Sequence, residues 1–156
     1  MRVLFMCTAN SCRSILSEAM FNHLAPPGFE AVSAGSFPKG QVLPRSLSTL
    51  QQANISTEGL SSKGNDAFEG NPPDIVITVC DKAAGEACPV YFGPALKSHW
   101  GLEDPSDVVG DEASVDAAFR ATLARIGSRC QAFFALPFDQ LDREQLKHAL
   151  DRIGSL

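Results

Sequence analysis

Residues 5–20 read "FMCTANSCRSILSEAM". An apolar run stops on Cys7 and five small or polar residues lead to Arg13. Ile15, Leu16, Ala19, Met20 and Leu24 then recur at helical spacing until Pro26, Pro27 and Gly28 end the pattern. Arg2 to Met6, upstream, reads as a buried strand. A short loop between such a strand and a helix aims successive backbone N–H groups at one point, with the positive end of the helix dipole behind them. Thr8, Ala9, Asn10, Ser11, Cys12 and Ser14 are small enough for backbone to close on a ligand, and Arg13 offers a planar fork that matches two oxygens of a tetrahedral oxyanion. Cys7 lies on the floor of this cradle, where a thiol can fall from about 8.5 to roughly 3.5–7.5 and ionise at neutral pH. Ser14 is within reach to donate a hydrogen bond to its sulfur. A cysteine six positions before an arginine is a common accident, and here it is the position between strand end and helix start that gives the pair meaning.

Working outward, Glu30 to Ser33 forms a second short strand, closed by Ala34-Gly35 and a loop holding Pro38 and Gly40. Pro44 opens a helix that runs to about Ala53. "DIVITV", Asp74 to Val79, is β-branched and apolar on both faces, as a central parallel strand is, and it ends at Cys80. Leu96 to Trp100 gives a fourth strand, "GLEDPSDVVGDE" a loop, and helices follow from about Ser114 to Ala135 and from Arg143 to Ile153. Strands alternating with helices define an α/β fold, a parallel sheet with helices on both faces. Ligands of such sheets sit at the strands' carboxyl ends where the strand order reverses. If the strand before Cys80 neighbours the first strand, Cys80 faces Cys7.

A chain of 156 residues suits one domain, residues 1–156, with a sizeable core. Its formal charge of -5 argues against a nucleic-acid or anionic-membrane surface, so an anion must be held by a local device. No run approaches the ~20 apolar residues of a membrane span, and Val3 to Met6 is too short for a signal-peptide core, so a cytoplasmic protein is expected. Five cysteines, an odd number without a secretion signal, argue against a permanent disulfide framework and leave catalysis, redox work or burial.

Cys80 and Cys88 bracket "DKAAGEA". As helix, that separation spans ~12 Å, whereas a disulfide needs Cα atoms ~4.4–6.8 Å apart. A Cys80–Cys88 bond therefore requires the segment to unwind, which Gly85 eases. The spacing does not suit zinc, whose paired ligands sit two to four residues apart. Cys130, between Ile126 and Phe133, belongs to the core. Attack by a thiol on an oxyanion needs a proton for the departing oxygen, and Asp104 is the candidate acid, because Pro105 biases it toward extended backbone. Glu103 is the rival carboxylate. His99 and Trp100 pack the strand end.

"CTANSCRS" (Cys7 to Ser14), "TVCDKAAGEACP" (Thr78 to Pro89) and "HWGLEDP" (His99 to Pro105) resemble the low-molecular-weight tyrosine phosphatase fold and, within it, the thioredoxin-coupled arsenate reductases. The resemblance implies a four-stranded open parallel sheet in the order 2-1-3-4. It implies that Cys7 attacks arsenate, that Asp104 protonates the leaving oxygen, that a Cys7–Cys80 disulfide forms as arsenite leaves, and that Cys88 resolves it into a Cys80–Cys88 disulfide. Thioredoxin, or glutaredoxin or another thiol, then re-reduces a monomeric detoxification enzyme. No cofactor is implied beyond a potassium ion, whose ligands would map onto Asn10, Glu18, Ser33 and Asp66. Ile15 and Ser106 stand where the phosphatases usually carry a proline and an aromatic residue, which favours the reductase. The alternatives are a tyrosine phosphatase using the same Cys7, Arg13 and Asp104, and a module that senses an oxyanion without turnover.

Overall fold

The computed structural model describes residues 1–68, 70–80 and 94–156. Cys88, Gly85 and the rest of the segment after Cys80 lie outside the described residues, and the expectations that fall on them with it.

Four strands, β1 (Arg2–Cys7), β2 (Glu30–Gly35), β3 (Ile75–Thr78) and β4 (Leu96–His99), form one parallel sheet in the order β2-β1-β3-β4, the order expected. Among the described residues the α-helices are α1 (Arg13–Leu24), α2 (Pro44–Gln52), α3 (Glu112–Phe134) and α4 (Arg143–Ile153). Strand residues alternate between two faces. Val3, Phe5 and Cys7 of β1, with Ile75 and Ile77 of β3, enter one core with Leu16 and Phe21 of α1, Leu50 of α2, Phe133 of α3 and Leu150 of α4. Leu4, Met6, Ala34 and Val76 point the other way, where Phe68 of the 3-10 turn Asn65–Phe68 packs on them. Both faces of the central strand are thus buried, which is why β1 is a continuous apolar run.

Register levels the strand ends. Cys7 pairs with Gly35 and Met6 with Thr78, so Cys7 and Cys80 emerge side by side where the connections part. β1 and β2 run beyond Met6 and Ser33 because Gly35 N–H finds the Lys63 carbonyl at 2.9 Å, which prolongs the ladder. α3 starts before Ser114 because Asp111 is its N-cap and accepts from the Ser114 N–H at 2.8 Å. α4 opens on a capping box between Asp142 and Gln145.

Arg129 of α3 is 2% exposed, yet it is fully used. Its guanidinium donates to the carbonyls of Trp100 (2.9 Å), Gly101 (3.1 Å), Gly154 (3.1 Å) and Leu156 (3.1 Å). One side chain so ties α3 to the turn after α4 and to the segment that carries Asp104. Burial, with Arg125 nearby, lowers its pKa to about 10. Among the described residues no helix is long and apolar enough to cross a membrane.

Candidate active site

The loop between β1 and α1 is held from outside by its carbonyls. Cys7 O accepts from Ser36 N–H (3.3 Å), Thr8 O from Phe37 N–H (2.9 Å), Ala9 O from Lys39 N–H (3.0 Å) and Ser11 O from Leu43 N–H (3.0 Å). The Ser62 and Ser46 hydroxyls add bonds to Ala9 O (3.1 Å) and Ser11 O (3.2 Å). In a trans peptide the C=O and the following N–H point in opposite directions, so carbonyls tied outward turn the next residues' amides inward. The Asn10 N–H indeed reaches the Cys7 sulfur. Asn10 makes the bend at φ 48°, a left-handed conformation that asparagine tolerates better than most residues. The loop is pressed so closely on β2 that a Cβ at Gly35 would lie 2.5 Å from Thr8 O and 2.9 Å from Asn10 N. α1 begins at Cys12 with no side-chain cap, unlike α3 and α4, which leaves its first N–H groups to serve the loop.

Arg13 closes the rim. Nη1 donates to Leu102 O at 3.1 Å, Nη2 lies 3.5 Å from Asp104 Oδ2, and the buried Nε has no partner among the described residues. A buried cationic N–H left open beside inward amides suits an oxyanion. Asp104 is half-buried and extended (φ -77°, ψ 109°), as Pro105 dictates. Ser106 fixes its Oδ1 through the backbone N–H (2.9 Å) and the hydroxyl (2.6 Å). Oδ2 is left toward Arg13. A cleft of about 500 Å³ opens here, lined by Arg13, Cys80, Leu102, Glu103, Asp104 and Asp107. Glu103 shares the cleft but is exposed and outside the Arg13 contact. His99 Nδ1 pairs with Thr78 Oγ1 at 2.8 Å, and buried Trp100 donates to Leu150 O at 2.9 Å, so both pack the strand end.

Cys7 and Cys80 are in thiol–thiol contact, and Cys80 Sγ is 3.5 Å from Thr8 Oγ1. This corrects the expectation of a lowered Cys7 pKa. The hydrogen bond with Cys80 and burial push the Cys7 thiol well above its ordinary range, against the pull of Arg13 and the Asn10 amide. Ser14 Oγ accepts from Asn10 Nδ2 at 2.8 Å, which leaves its O–H proton available for the Cys7 sulfur. Cys12 supplies backbone to the cradle, but its thiol is buried beside Ser46 and pushed up to about 12, chiefly by that burial. Cys130 is fully buried in the core, as expected, and likewise sits at about 12.

Three of the four residues implied for potassium come together, yet they do not fit a cation. Asn10 spends Oδ1 on the Lys63 N–H (2.9 Å) and turns its NH2 to Ser33 Oγ (3.0 Å), so it presents a donor. Ser33 Oγ donates to Glu18 Oε1 at 2.7 Å, and Lys63 Nζ stands 3.7 Å from the same oxygen. Asp66 is exposed in the 3-10 turn. Burial raises the Glu18 pKa against the help of Ser33 and Lys63, and burial lowers that of Lys63 against the pull of Glu18. Lys63, Ser46, Ser62 and Arg129 carry no sequence motif, and their roles arise only from contacts between distant segments. Ser106 does leave a signal, because Asp-Pro-Ser is the pattern of a capping residue followed by a proline in the first turn.

A thiol at a strand end, inward amides after it, an arginine fork and a carboxylate held against that arginine equip a protein for nucleophilic displacement at the central atom of an oxyanion. The chain belongs to the low molecular weight phosphotyrosine protein phosphatase family, which it matches over residues 2–148. It is 30% identical over 131 residues to an arsenate reductase of Bacillus subtilis, a match covering 84% of this chain and 93% of that protein. A structure of an arsenate reductase in the phosphate binding state superposes with a TM-score of 0.71 at 24% identity, covering 86% of this chain and 96% of that one. A thioredoxin-dependent arsenate reductase of Corynebacterium glutamicum superposes with a TM-score of 0.58 at 24% identity, covering 83% of this chain and 61% of that one.

Proposed function

We propose that this protein reduces arsenate to arsenite through a relay of three cysteines. The Cys7 thiolate attacks arsenic, an As–O bond breaks, and Asp104 protonates the departing oxygen. Cys80 then attacks the Cys7 sulfur. The S–As bond breaks with its electron pair passing to arsenic, which falls from the pentavalent to the trivalent state and leaves as arsenite, and a Cys7–Cys80 disulfide remains. Cys88 attacks Cys80, Cys7 departs as thiolate, and the Cys80–Cys88 disulfide takes two electrons from thioredoxin or another dithiol. The observation that carries this reading is the contact between Cys7 and Cys80 at adjacent strand ends, since the second step asks for that approach. The raised Cys7 thiol fits a site in which Cys80 must draw aside for attack to begin. The Bacillus subtilis and Corynebacterium relatives support the substrate, and the latter supports the electron donor.

Arsenate-dependent NADPH oxidation, coupled through thioredoxin and its reductase, tests the reading. The wild-type chain consumes one NADPH per arsenate, Cys7→Ser consumes none, and Cys80→Ser and Cys88→Ser fail to cycle. Cycling by Cys88→Ser at the wild-type rate would remove Cys88 as the resolving thiol. The phosphatase relationship favours a second reading, hydrolysis of phosphomonoesters by the same Cys7, Arg13 and Asp104. Phosphatase turnover untouched by Cys80→Ser, without arsenite production, would establish that reading instead.

A further inference from the structure

We infer that Lys63 is a positioning residue whose ammonium takes the part of a monovalent cation beside the anion cradle, making the protein independent of potassium. The inference rests on the reading of that loop as an oxyanion site. Glu18 lies on α1, 8% exposed, where a carboxylate needs a countercharge or a proton. Its Oε1 receives the Ser33 hydroxyl at 2.7 Å, and the Lys63 ammonium stands 3.7 Å away, itself steadied by donation to Ser61 O at 2.9 Å.

The same residue reaches the loop through its backbone. Lys63 N–H donates to Asn10 Oδ1 at 2.9 Å, and Lys63 O accepts from Gly35 N–H at 2.9 Å. The first bond fixes which way the Asn10 amide faces, and its NH2 is thereby aimed at Ser33 (3.0 Å) and Ser14 (2.8 Å). A chain of contacts thus runs from the ammonium through Glu18, Ser33 and Asn10 to the bend whose amide meets the Cys7 sulfur. An inorganic cation beside Glu18 would have to displace the Lys63 ammonium, so the place opens to potassium only when that ammonium is removed. The covalently tethered charge fills the role without an exchangeable ion.

The test is calorimetric titration of inorganic phosphate into the full chain, in potassium chloride and in tetramethylammonium chloride at equal ionic strength. Wild type binds phosphate with the same Kd in both salts. Lys63→Ala and Lys63→Gln bind about tenfold more weakly in tetramethylammonium, the low end of what losing an orienting outer partner costs. Potassium restores most of that loss, and adding Glu18→Gln to Lys63→Ala abolishes the restoration. A potassium response in wild type overturns the inference, and that comparison requires no variant to fold. Wild-type affinity in the Lys63 variants, or weakened affinity that potassium does not recover, overturns it as well. Failure of wild type to bind phosphate in either salt would instead overturn the oxyanion reading on which the inference stands.

Discussion

The Cys80 thiol lies against the Cys7 thiol at the paired ends of β3 and β1, and it raises the pKa of Cys7 more than any other group does. Two sulfurs in contact cannot both ionise easily, so removing one should free the other. In Cys80→Ala the hydrogen bond and the charge of Cys80 are gone, while Arg13 and the Asn10 amide still draw Cys7 down. The rate of iodoacetamide alkylation at Cys7, followed by peptide mass against pH, should rise at a lower pH than in wild type. Arg13→Met should shift it higher. An unchanged midpoint in Cys80→Ala would show that burial alone sets the thiol.

Gly35 has no space for a side chain, because a Cβ would stand 2.5 Å from Thr8 O and 2.9 Å from Asn10 N, both backbone atoms. Gly35→Ala must displace the loop. Overpacking of this kind costs roughly 1–3 kcal/mol, and the displaced amides are those that would face the anion. Phosphate affinity by calorimetry should fall by more than the thermal midpoint suggests. A variant that loses stability but keeps affinity would mean that the loop moves as a rigid unit.

Ser106 restrains Asp104 through two contacts to Oδ1, and a substitution removes only the hydroxyl one, at 2.6 Å. Asp104→Asn should lower kcat by about 10²–10⁴, the usual worth of a positioned acid. Ser106→Ala should lower kcat less, with KM for arsenate unchanged, as expected for a group that orients the acid without touching substrate. A rise in KM alone would place Ser106 in binding.

Arg129, itself buried, satisfies carbonyls from two segments. Arg129→Met leaves the buried Trp100 carbonyl without this donor, at roughly 1–3 kcal/mol if it is not rescued, while the half-buried Gly101 and Gly154 and the exposed Leu156 can turn to solvent. At about 2–4 °C per kcal/mol for a domain of this size, the thermal midpoint should drop by several degrees. Because Trp100 and Gly101 lead directly to Leu102 and Asp104, kcat should fall even at temperatures where the variant is fully folded.

Local patterns carried the sequence reading where the determinants were local. The apolar run into Cys7, the helical spacing after Arg13 and the Asp104-Pro105 pair each lie within a few residues, and the structure has the strand, the helix and the extended Asp104 there. The upward pull on the Cys7 thiol is not legible locally, because its dominant neighbour, Cys80, arrives only through the side-by-side placement of β1 and β3. Lys63 was invisible for the same reason, since it meets Asn10 across 53 residues of chain and neither stretch alone signals the other. The start of α3 lies before Ser114 because Asp111 caps it, a contact that helical periodicity does not register.

The donors that hold the Cys7–Ser11 carbonyls come from Ser36, Phe37, Lys39, Leu43, Ser46 and Ser62, all in the crossover between β2 and β3. The loop that begins at Cys7 therefore cannot take its shape until that crossover has docked, although α1 follows it at once in the chain. Amide hydrogen exchange should find the two stretches opening together, as one cooperative unit set apart from the sheet. Inherited changes in the crossover, remote from the reacting atoms, would then tune the grip on an anion while leaving its chemistry intact.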